Sequence, residues 1–408
     1  MRKIKLAIVS PFPPSKGTLN EYAFHLVEQF KKKEEISELV LITDKLPDNA
    51  TYEPIDAPVP ITLIDNWSFN SWTNNFKILG AIRKSKVDMV LFNLQFLSFG
   101  DSKIAAALGL MTPLLCRLFG IKNVVLLHNI IETVDLTSAG ISKNPVLKWI
   151  YTAIGTILTR LILCTNLMTV TITKYVHILE SKYKSKNIAL IPHGSFELPE
   201  MPDFDKEGPL KIMTFGKFGT YKKVEAMIEA THQVRQKLGL DIEIVIAGTD
   251  SPNKKGYLNE IQTNYADIKN IRYTGYVAEE DVPVLFREAT ICVFDYTSTT
   301  GSSGVLHQAG SYGKAAVIPN IGDLKSLVEE EGYTGSFFEP GDTQSLAQAI
   351  EKTIVDKEYR TSIAKQNYAA AASLPMEDIA DWYLIHFNHL LGSITADVTE
   401  QSATLAYG

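Results

Sequence analysis

Short runs of apolar residues alternate with longer segments whose apolar residues recur at helical spacing. In residues 1–195 these runs are Ile4–Val9, Leu39–Thr43, Met89–Asn93, Val124–His128, Met168–Thr173 and Ile188–Ile191. The same rhythm then restarts, with runs at Ile212–Phe215, Ile242–Ala247, Ile271–Tyr273, Ile291–Phe294 and Ala315–Pro319. Strands that are apolar on both sides are typical of parallel sheets covered by helices on both faces. The pattern predicts an α/β protein with two doubly wound domains and a cleft between them.

Changes in composition suggest where these domains begin and end. We expect an N-terminal domain at 1–193, a linker rich in Pro, Glu and Asp at 194–209, and a second domain at 210–375. The segment 376–391 has the spacing of a helix, and we expect it to pack back on the N-terminal domain. Few apolar residues follow, so 392–408 is expected to be a mobile tail.

Composition and charge narrow the function classes. The chain has 408 residues, of which 45% are hydrophobic and 21% charged, which excludes disordered, collagen-like and coiled-coil proteins. Its three cysteines are widely spaced and predict neither a disulfide framework nor a zinc site, as expected in a reducing compartment. The net charge of −6 divides into +7 for 1–195 and −13 for 196–408. The basic half either meets an anionic partner or has only uneven surface charge, and no nucleic-acid-binding motif is present.

The most apolar stretches are Ile104–Cys116 and Ile150–Cys164. Pro113 and Arg160 interrupt them, so neither reaches the about 18–20 uninterrupted apolar residues of a membrane span. No signal peptide is evident at the N-terminus. The stretches are read either as buried core helices or as a surface that meets a lipid-linked acceptor or a membrane.

Two strand ends in the first half have candidate chemistry. After the first strand, Gly17 precedes a predicted helix in which Thr18 and Glu21 have the spacing of a capping box. Free amides at such a helix start hold anions, although an ordinary loop would look the same. His128 closes another strand, where it either contacts a ligand or makes a structural hydrogen bond.

Two strand ends in the second half also stand out, because ligands of open α/β sheets bind beyond the carboxyl ends of strands. The segment Gly216–Lys223 predicts a glycine loop flanked by Lys217 and Lys222, which suits a diphosphate but is not a P-loop. The segment Asp295–Gln308 contains small and hydroxyl residues before a predicted helix, with Ser302 or Ser303 as N-cap. The alternatives are a solvated basic turn and a flexible surface turn.

Together these pieces resemble the retaining nucleotide-sugar glycosyltransferases of family 4, within the glycosyl transferases group 1. The likeness covers nearly the whole chain and is strongest from about 187 to 352. Its motifs occur in the family's order at Gly216–Ala230, Ile244–Gly248, Tyr273–Val277, Ser311–Ile318 and Glu339–Asp342. The resemblance implies a GT-B architecture, in which two Rossmann-like domains face each other across a cleft.

The resemblance also implies site residues. His128, Lys217 and Lys222 match catalytic positions: a histidine facing the donor sugar and a basic pair that neutralises the diphosphate. The residues that match donor-binding positions are Gly17, Thr18, Gly216, Thr300, Gly301, Ser302, Ser303, Gly304, Val305 and Gln308.

Three positions depart from the family pattern. Thr300 and Gln308 stand where the family has two glutamates separated by seven residues, and Lys223 replaces a glycine. Gln308 can still hydrogen-bond ribose hydroxyls without a charge. We interpret the chain as a variant with an altered donor preference rather than an inactive one.

The resemblance predicts transfer of a sugar from a nucleotide diphosphate sugar to an acceptor hydroxyl with retention, in glycan, polysaccharide or glycolipid synthesis. The expected partners are the donor and a glycan or lipid-linked acceptor on the N-terminal domain, which is also expected to contact a membrane; nucleic acid is not expected. We expect no metal and no cofactor, because lysines and helix ends supply the positive charge, and a cytoplasmic location at the inner face of the membrane. The alternatives are a nucleotide-sugar 2-epimerase of the same architecture and a non-catalytic nucleotide-sugar-binding subunit.

Overall fold

The computed structural model describes residues 3–46, 50–133, 144–204, 208–251, 253–299 and 301–392. Their contacts divide them into two compact units. The first contains the described residues of Met1–Glu132, Trp149–His193 and Met376–Gly408, and the second those of Thr133–Lys148 and Gly194–Pro375. Beyond Gly392, the predicted mobile tail lies outside the described residues.

The first unit is built on a seven-stranded sheet whose neighbouring strands are all parallel. The strands are β1 Ile4–Val9, β2 Ile36–Asp44, β3 Ile61–Trp67, β4 Met89–Leu94, β5 Asn123–Leu127, β6 Leu167–Val170 and β7 Ile188–Leu190. Their order is β3-β2-β1-β4-β5-β6-β7. The chain therefore reverses its direction of winding between β1 and β4, where open α/β sheets bind ligands.

Helices cover this sheet because each buries an apolar face. They are α1 Asn20–Phe30, α2 Asn74–Ser85, α3 Lys103–Leu110, α4 Thr112–Leu118, α5 Pro145–Ile162, α6 Thr173–Tyr183 and α14 Met376–Leu390, with α5 belonging to this unit from Trp149 onward. The C-terminal helix α14 is held by an ion pair of 2.6 Å between Lys33 and Asp381. Its Tyr383 is fully buried and its hydroxyl lies 3.2 Å from that of Thr169.

The second unit repeats the design with six parallel strands. They are β8 Leu210–Phe218, β9 Ile242–Asp250, β10 Ile271–Gly275, β11 Ile291–Val293, β12 Ala315–Pro319 and β13 Ser336–Phe338. The order β10-β9-β8-β11-β12-β13 is that of a Rossmann sheet, with its switch point between β8 and β11. The helices are α7 Glu225–Leu238, α8 Tyr257–Asn264, α9 Val282–Glu288, α10 Gly304–Ser311, α11 Gly322–Glu331, α12 Thr343–Val355 and α13 Lys357–Ser373.

The prediction of two doubly wound α/β units is thus confirmed. Two strands were not predicted, β3 and β13, and both lie at the edge of a sheet. β3 is only partly buried along most of its length and β13 has three residues, so neither has a continuous apolar run. Among the helices of the described chain, none combines the length and the apolar character needed to cross a membrane.

Candidate functional site

The two loops predicted to bind a diphosphate follow β8 and β11, the strands on either side of the switch point in the second unit. The first of them differs from the prediction. β8 continues to Phe218, so Gly216 and Lys217 lie within the strand rather than in a loop. Gly216 pairs with Gly248 of β9, and a Cβ on Gly248 would lie 1.9 Å from the Gly216 carbonyl oxygen. Two facing glycines let the strands pair this closely, and this pairing extends the sheet.

Lys222 lies where the chain turns back from β8. It forms an antiparallel bridge with Tyr296, and its Nζ lies 4.9 Å from the centre of the Tyr296 ring. A Cβ on Gly216 would lie only 2.7 Å from the same Nζ, so the ammonium group rests against the Gly216 backbone. Lys217 is exposed on β8, opposite Thr249. The structure therefore places one ammonium group at the end of the strand and a second cation on the strand itself.

Tyr296 connects Lys222 to the serine-rich loop. It is 4% exposed, and the Ser303 side chain lies close enough to oppose the effect of burial on its pKa. Burial raises its pKa well above the ordinary value, so the phenol stays protonated. Sequence reasoning did not single out this residue, because its contact with Lys222 joins two separate strand ends. Tyr296 thus lies between the Lys222 ammonium and the Ser303 side chain.

The serine-rich loop begins α10 in the way the sequence predicts. Ser303 is the N-cap, and its side chain accepts a hydrogen bond from the amide of Leu306. The first helical residues are Gly304 and Val305, whose amides have no acceptor within the helix. Within the described chain, the buried hydroxyl oxygen of Ser302 has no hydrogen-bond partner. These groups form a set of donors at a helix N-terminus, the arrangement that holds an anion.

The remaining predicted residues of this loop differ from one another in burial and in backbone conformation. Gly301 is buried and has a φ of +80°, a conformation that favours glycine. Gln308 is nearly buried on the second turn of α10. Thr300, the other residue in place of a family glutamate, lies outside the described residues.

Asp295, which follows β11, is hydrogen-bonded to the segment that follows β8. Its Oδ2 accepts a hydrogen bond of 3.3 Å from the amide of Met227 in the first turn of α7, and its carbonyl oxygen accepts one of 2.9 Å from the amide of Lys223. Burial raises the pKa of Asp295 to about 6. The residue therefore caps a helix from a neighbouring strand and fixes the backbone next to Lys222.

A buried pair that the sequence analysis missed supports the loop from the other side. The Nδ1 of His307 lies 2.8 Å from the carbonyl oxygen of Ser303, and its Nε2 faces the carboxylate of Glu331 at the end of α11. The ring of Tyr333 packs edge-on against the imidazole. His307 follows the predicted N-cap by four residues, but its partner Glu331 is far along the chain and no local pattern identifies it.

In the first unit, the loop after β1 departs from the predicted capping box. α1 begins at Asn20, its N-cap is Leu19 with a φ of 72°, and no side chain caps it, so the prediction for Thr18 and Glu21 is wrong. Thr18 is exposed. The Gly17 amide is not free either, because it donates a hydrogen bond of 3.1 Å to the Ser15 hydroxyl. Gly17 is needed for packing, since a Cβ there would lie 2.7 Å from that of Pro11.

Asn93, at the carboxyl end of β4, explains this geometry. Its Nδ2 donates to the Ser10 hydroxyl at 2.9 Å and to the Leu19 carbonyl oxygen at 3.3 Å. Its Oδ1 lies 2.6 Å from Nε2 of His128, at the end of β5. Asn93 is fully buried, and the sequence analysis did not select it. A single amide thus joins the switch-point strands β1 and β4 to His128.

The hydrogen bonds of Asn93 also assign the protonation state of His128. Because Nδ2 of Asn93 is used as a donor, Oδ1 accepts, so Nε2 of His128 carries a proton. Burial lowers the pKa of His128 to about 3, which keeps the ring neutral. The rings of Tyr22 and His193 pack edge-on against it, with centroids at 4.7 and 6.1 Å. A neutral ring protonated at Nε2 has an acceptor at Nδ1.

Comparisons with known proteins agree with this architecture. Residues 209–356 match the family model described as "Glycosyl transferases group 1". No curated protein sequence matches the chain significantly. Among solved structures, the chain is similar to sucrose-phosphate synthase from Thermosynechococcus elongatus, with a TM-score of 0.74, 15% identity, and coverage of 96% of this chain and 100% of that one.

Two further structures show the same likeness at lower identity. HepE of Anabaena, in complex with UDP-glucose, gives a TM-score of 0.64 at 13% identity and covers 96% of this chain and 100% of its own. An α,α-trehalose-phosphate synthase from Burkholderia xenovorans, in complex with glucose-6-phosphate, gives a TM-score of 0.68 at 10% identity. This match covers 94% of the present chain and 100% of the synthase. The chain therefore has the GT-B fold of two Rossmann-like units, and its second unit carries a glycosyl transferases group 1 domain that extends from β8 to α12.

Proposed function

We propose that the protein transfers a sugar from a nucleotide diphosphate sugar to an acceptor hydroxyl and that the second unit binds the donor. One observation carries the proposal: the buried Tyr296 lies beside both the Lys222 ammonium and the Ser303 N-cap, at the switch point of a Rossmann-ordered sheet. The glycosyl transferases group 1 match covers all three residues, and HepE, with the same fold, was crystallised with UDP-glucose.

The chemistry of the step explains why such groups are needed. When the glycosidic bond breaks, negative charge grows on the departing diphosphate. Lys217, Lys222 and the amides at the start of α10 are fixed donors and cations that stabilise this charge in the transition state. In this proposal they take the place of a divalent metal ion, and the nucleotide sugar is the only small molecule besides the acceptor. Gln308 contributes an uncharged amide to the ribose.

We further propose retention by attack on the same face of the sugar, with His128 as a contact of the donor sugar. A neutral His128 protonated at Nε2 accepts a hydrogen bond from a sugar hydroxyl at Nδ1. The acceptor is a glycan or a lipid-linked sugar, and the protein works at the inner face of the cytoplasmic membrane, in polysaccharide or glycolipid synthesis. The basic first half, with +7 over 1–195, suits an acceptor that carries an anionic group.

A thermal-shift panel tests donor binding and metal independence together. The full chain is melted with UDP, GDP and ADP and with their sugars, in the presence of EDTA. One nucleotide is expected to raise the melting temperature. Lys222→Ala is expected to weaken its binding about 10-fold to 100-fold, since a charge-assisted hydrogen bond contributes about 1.5–3 kcal/mol. Lys237→Ala, which removes the same charge from an exposed pair with Glu351, is the matched control. A shift that requires added Mg²⁺ contradicts the metal-independent proposal.

Product analysis separates the two alternatives. Incubation with the donor alone, followed by sugar analysis, detects an epimerase, whereas a binding subunit leaves the donor unchanged with every acceptor. Transfer with an unchanged anomeric configuration, read by NMR spectroscopy, supports the proposal; inversion contradicts retention. The replacement of both family glutamates, at Thr300 and Gln308, is the feature that favours the binding-subunit alternative.

A further inference from the structure

The helix α5 presents apolar side chains to solvent along one face. Ile150, Ile154 and Ile157 are 36%, 40% and 56% exposed, and their spacing of four and three residues places them on the same side of the helix. Trp149, beside them, is 72% exposed. We call these four residues the α5 surface. A helix of a water-soluble unit normally places charged residues on this side.

The opposite face of α5 is buried. The isoleucines are therefore not exposed because the helix has turned its buried face toward solvent. Gly155, Thr159 and Ile162 are buried. A Cβ on Gly155 would lie 2.5 Å from Cγ1 of Ile131, which shows how closely the helix packs there. The helix is therefore apolar on both faces, and only one face has a partner within the described residues of this unit.

Helices close to the two ends of α5 carry further exposed apolar residues. At the start of α3, Ile104 is 55% exposed, and the preceding Lys103 places its Nζ 3.6 Å from the ring centre of Tyr151 on α5. At the end of α4, Leu118 is 71% exposed. A basic residue precedes each of these two apolar residues, since Arg117 comes directly before Leu118.

Arg117 also fixes α4 next to the end of α5. Its Nη1 donates a hydrogen bond of 2.9 Å to the carbonyl oxygen of Cys164, just beyond α5. Phe119, which follows α4, is 55% exposed and lies under the guanidinium of Arg83, 4.8 Å from its ring centre. Basic groups are therefore present near both ends of α5.

The charge of this region decides which partner fits. Residues 145–193 contain six Lys or Arg and one Glu, a net charge of +5, which becomes +4 when Glu132, the ion-pair partner of Lys182 at 3.0 Å, is included. We propose that the α5 surface binds an anionic lipid bilayer, with α5 lying in the plane of the interface. Apolar side chains then enter the headgroup boundary, Trp149 sits at its level and the basic residues meet lipid phosphates. A second copy of the chain would instead bring two positive surfaces together, which opposes association.

The proposed function gives this membrane contact its role, which is access to a lipid-linked acceptor. The inference rests on the proposed function in this respect alone. Its test needs neither donor nor acceptor, so vesicle binding and sugar transfer succeed or fail separately. The full chain is floated with vesicles of phosphatidylcholine alone and of phosphatidylcholine mixed with phosphatidylglycerol. We expect flotation with the anionic vesicles at low salt, and a bound fraction that falls as salt screens the charges.

The decisive variant is Ile154→Gln/Ile157→Gln, which removes apolar area while keeping a good helix former. We expect it to weaken vesicle binding by roughly tenfold or more, because burying an isoleucine side chain contributes about 1.5–3 kcal/mol. The matched control is Val355→Gln, because Val355 is 60% exposed at the end of α12 in the other unit. It should bind like the unchanged chain. Trp149→Gln serves as a second variant if the double variant melts at a lower temperature.

Three outcomes overturn the inference. The unchanged chain fails to float with anionic vesicles at low salt, or the double variant floats as well as the unchanged chain. Alternatively, light scattering detects a dimer that the double variant dissociates while no flotation occurs, which assigns the α5 surface to a second copy.

Discussion

Nε2 of His307 lies 2.7 Å from Oε2 of Glu331, and the two side chains are only 2% and 5% exposed. Since Nδ1 of the same ring faces the Ser303 carbonyl oxygen, both ring nitrogens have acceptors and the imidazole is a cation. Burial lowers the pKa of His307, but the Glu331 carboxylate and the Ser303 carbonyl outweigh it, so that the pKa is raised overall. A buried ion pair thus supports the loop that caps the proposed diphosphate site.

Replacement of Glu331 by Gln should destabilise the protein strongly at low pH. Breaking a buried pair costs about 3–5 kcal/mol. A raised histidine pKa contributes stability that is complete below about pH 6.5 and is lost as pH rises through the folded value. The difference in unfolding free energy between the unchanged chain and Glu331→Gln is therefore largest at pH 6 and shrinks at higher pH, as urea denaturation can measure.

The exposed pair of Lys237 and Glu351 provides the control for this experiment. Glu351→Gln should change the unfolding free energy by about 1 kcal/mol or less at any pH. A pH-independent effect of Glu331→Gln, or one as small as that of the control, would show that His307 is not charged in the folded protein.

Asp295 allows a second pH-dependent test. Here the titrating group is a buried acid rather than a histidine. Its pKa is raised to about 6 by burial, so its ionisation costs stability above that pH, and stability is gained as pH falls from about 6 toward the ordinary value near 4. Asp295→Asn keeps an oxygen for the Met227 amide without the charge. At pH 8 it should be at least as stable as the unchanged chain, and Asp295→Ala should be less stable than Asp295→Asn by about 0.5–2 kcal/mol. Equal stability of the two variants would remove the capping role.

The two lysines at the end of β8 should matter for the rate of transfer. Lys217→Ala and Lys222→Ala are each expected to lower kcat by about 10²–10³, equivalent to roughly 2.7–4 kcal/mol. Lys223→Ala is the adjacent control, because the Lys223 ammonium lies over the Tyr257 ring and bonds the Gly219 carbonyl oxygen. It should stay within roughly threefold of the unchanged enzyme. Activity within that range for both test variants would contradict the assignment.

His128 should not titrate in the range in which enzymes are usually assayed. Its pKa is lowered to about 3 by burial, so ¹⁵N NMR spectra of the imidazole should show a neutral ring protonated at Nε2 throughout the range from about pH 5 to 8. Asn93→Leu removes the acceptor that fixes this tautomer and should shift the Nδ1 and Nε2 signals. A histidine that titrates near its ordinary pKa would exclude the role of a neutral acceptor.

The sequence predicted the central strands of both sheets because they are buried on both faces and therefore apolar throughout. β1 and β12 were predicted with their observed bounds. The strand predicted at Met168–Thr173 ends already at Val170, and α6 begins at Thr173. The edge strands β3 and β13 were missed because neither has a continuous apolar run, although the edge strands β7 and β10 were predicted.

The candidate site was predictable only where its chemistry is local. The N-cap at Ser303 depends on residues a few positions apart, and it was found. Asn93, Tyr296 and Glu331 act through partners on other strands or helices, so no spacing identifies them. The capping box at Thr18 failed for a related reason: the long-range bond from Asn93 to the Leu19 carbonyl oxygen accompanies a different start of α1.

The most direct test of the account is a crystal structure of the full chain with its preferred nucleotide diphosphate, soaked without metal. The account predicts the diphosphate at the switch point between β8 and β11, within hydrogen-bonding distance of the Lys222 Nζ and the amides of Gly304 and Val305. Electron density for the nucleotide elsewhere, with these groups unoccupied, would contradict it.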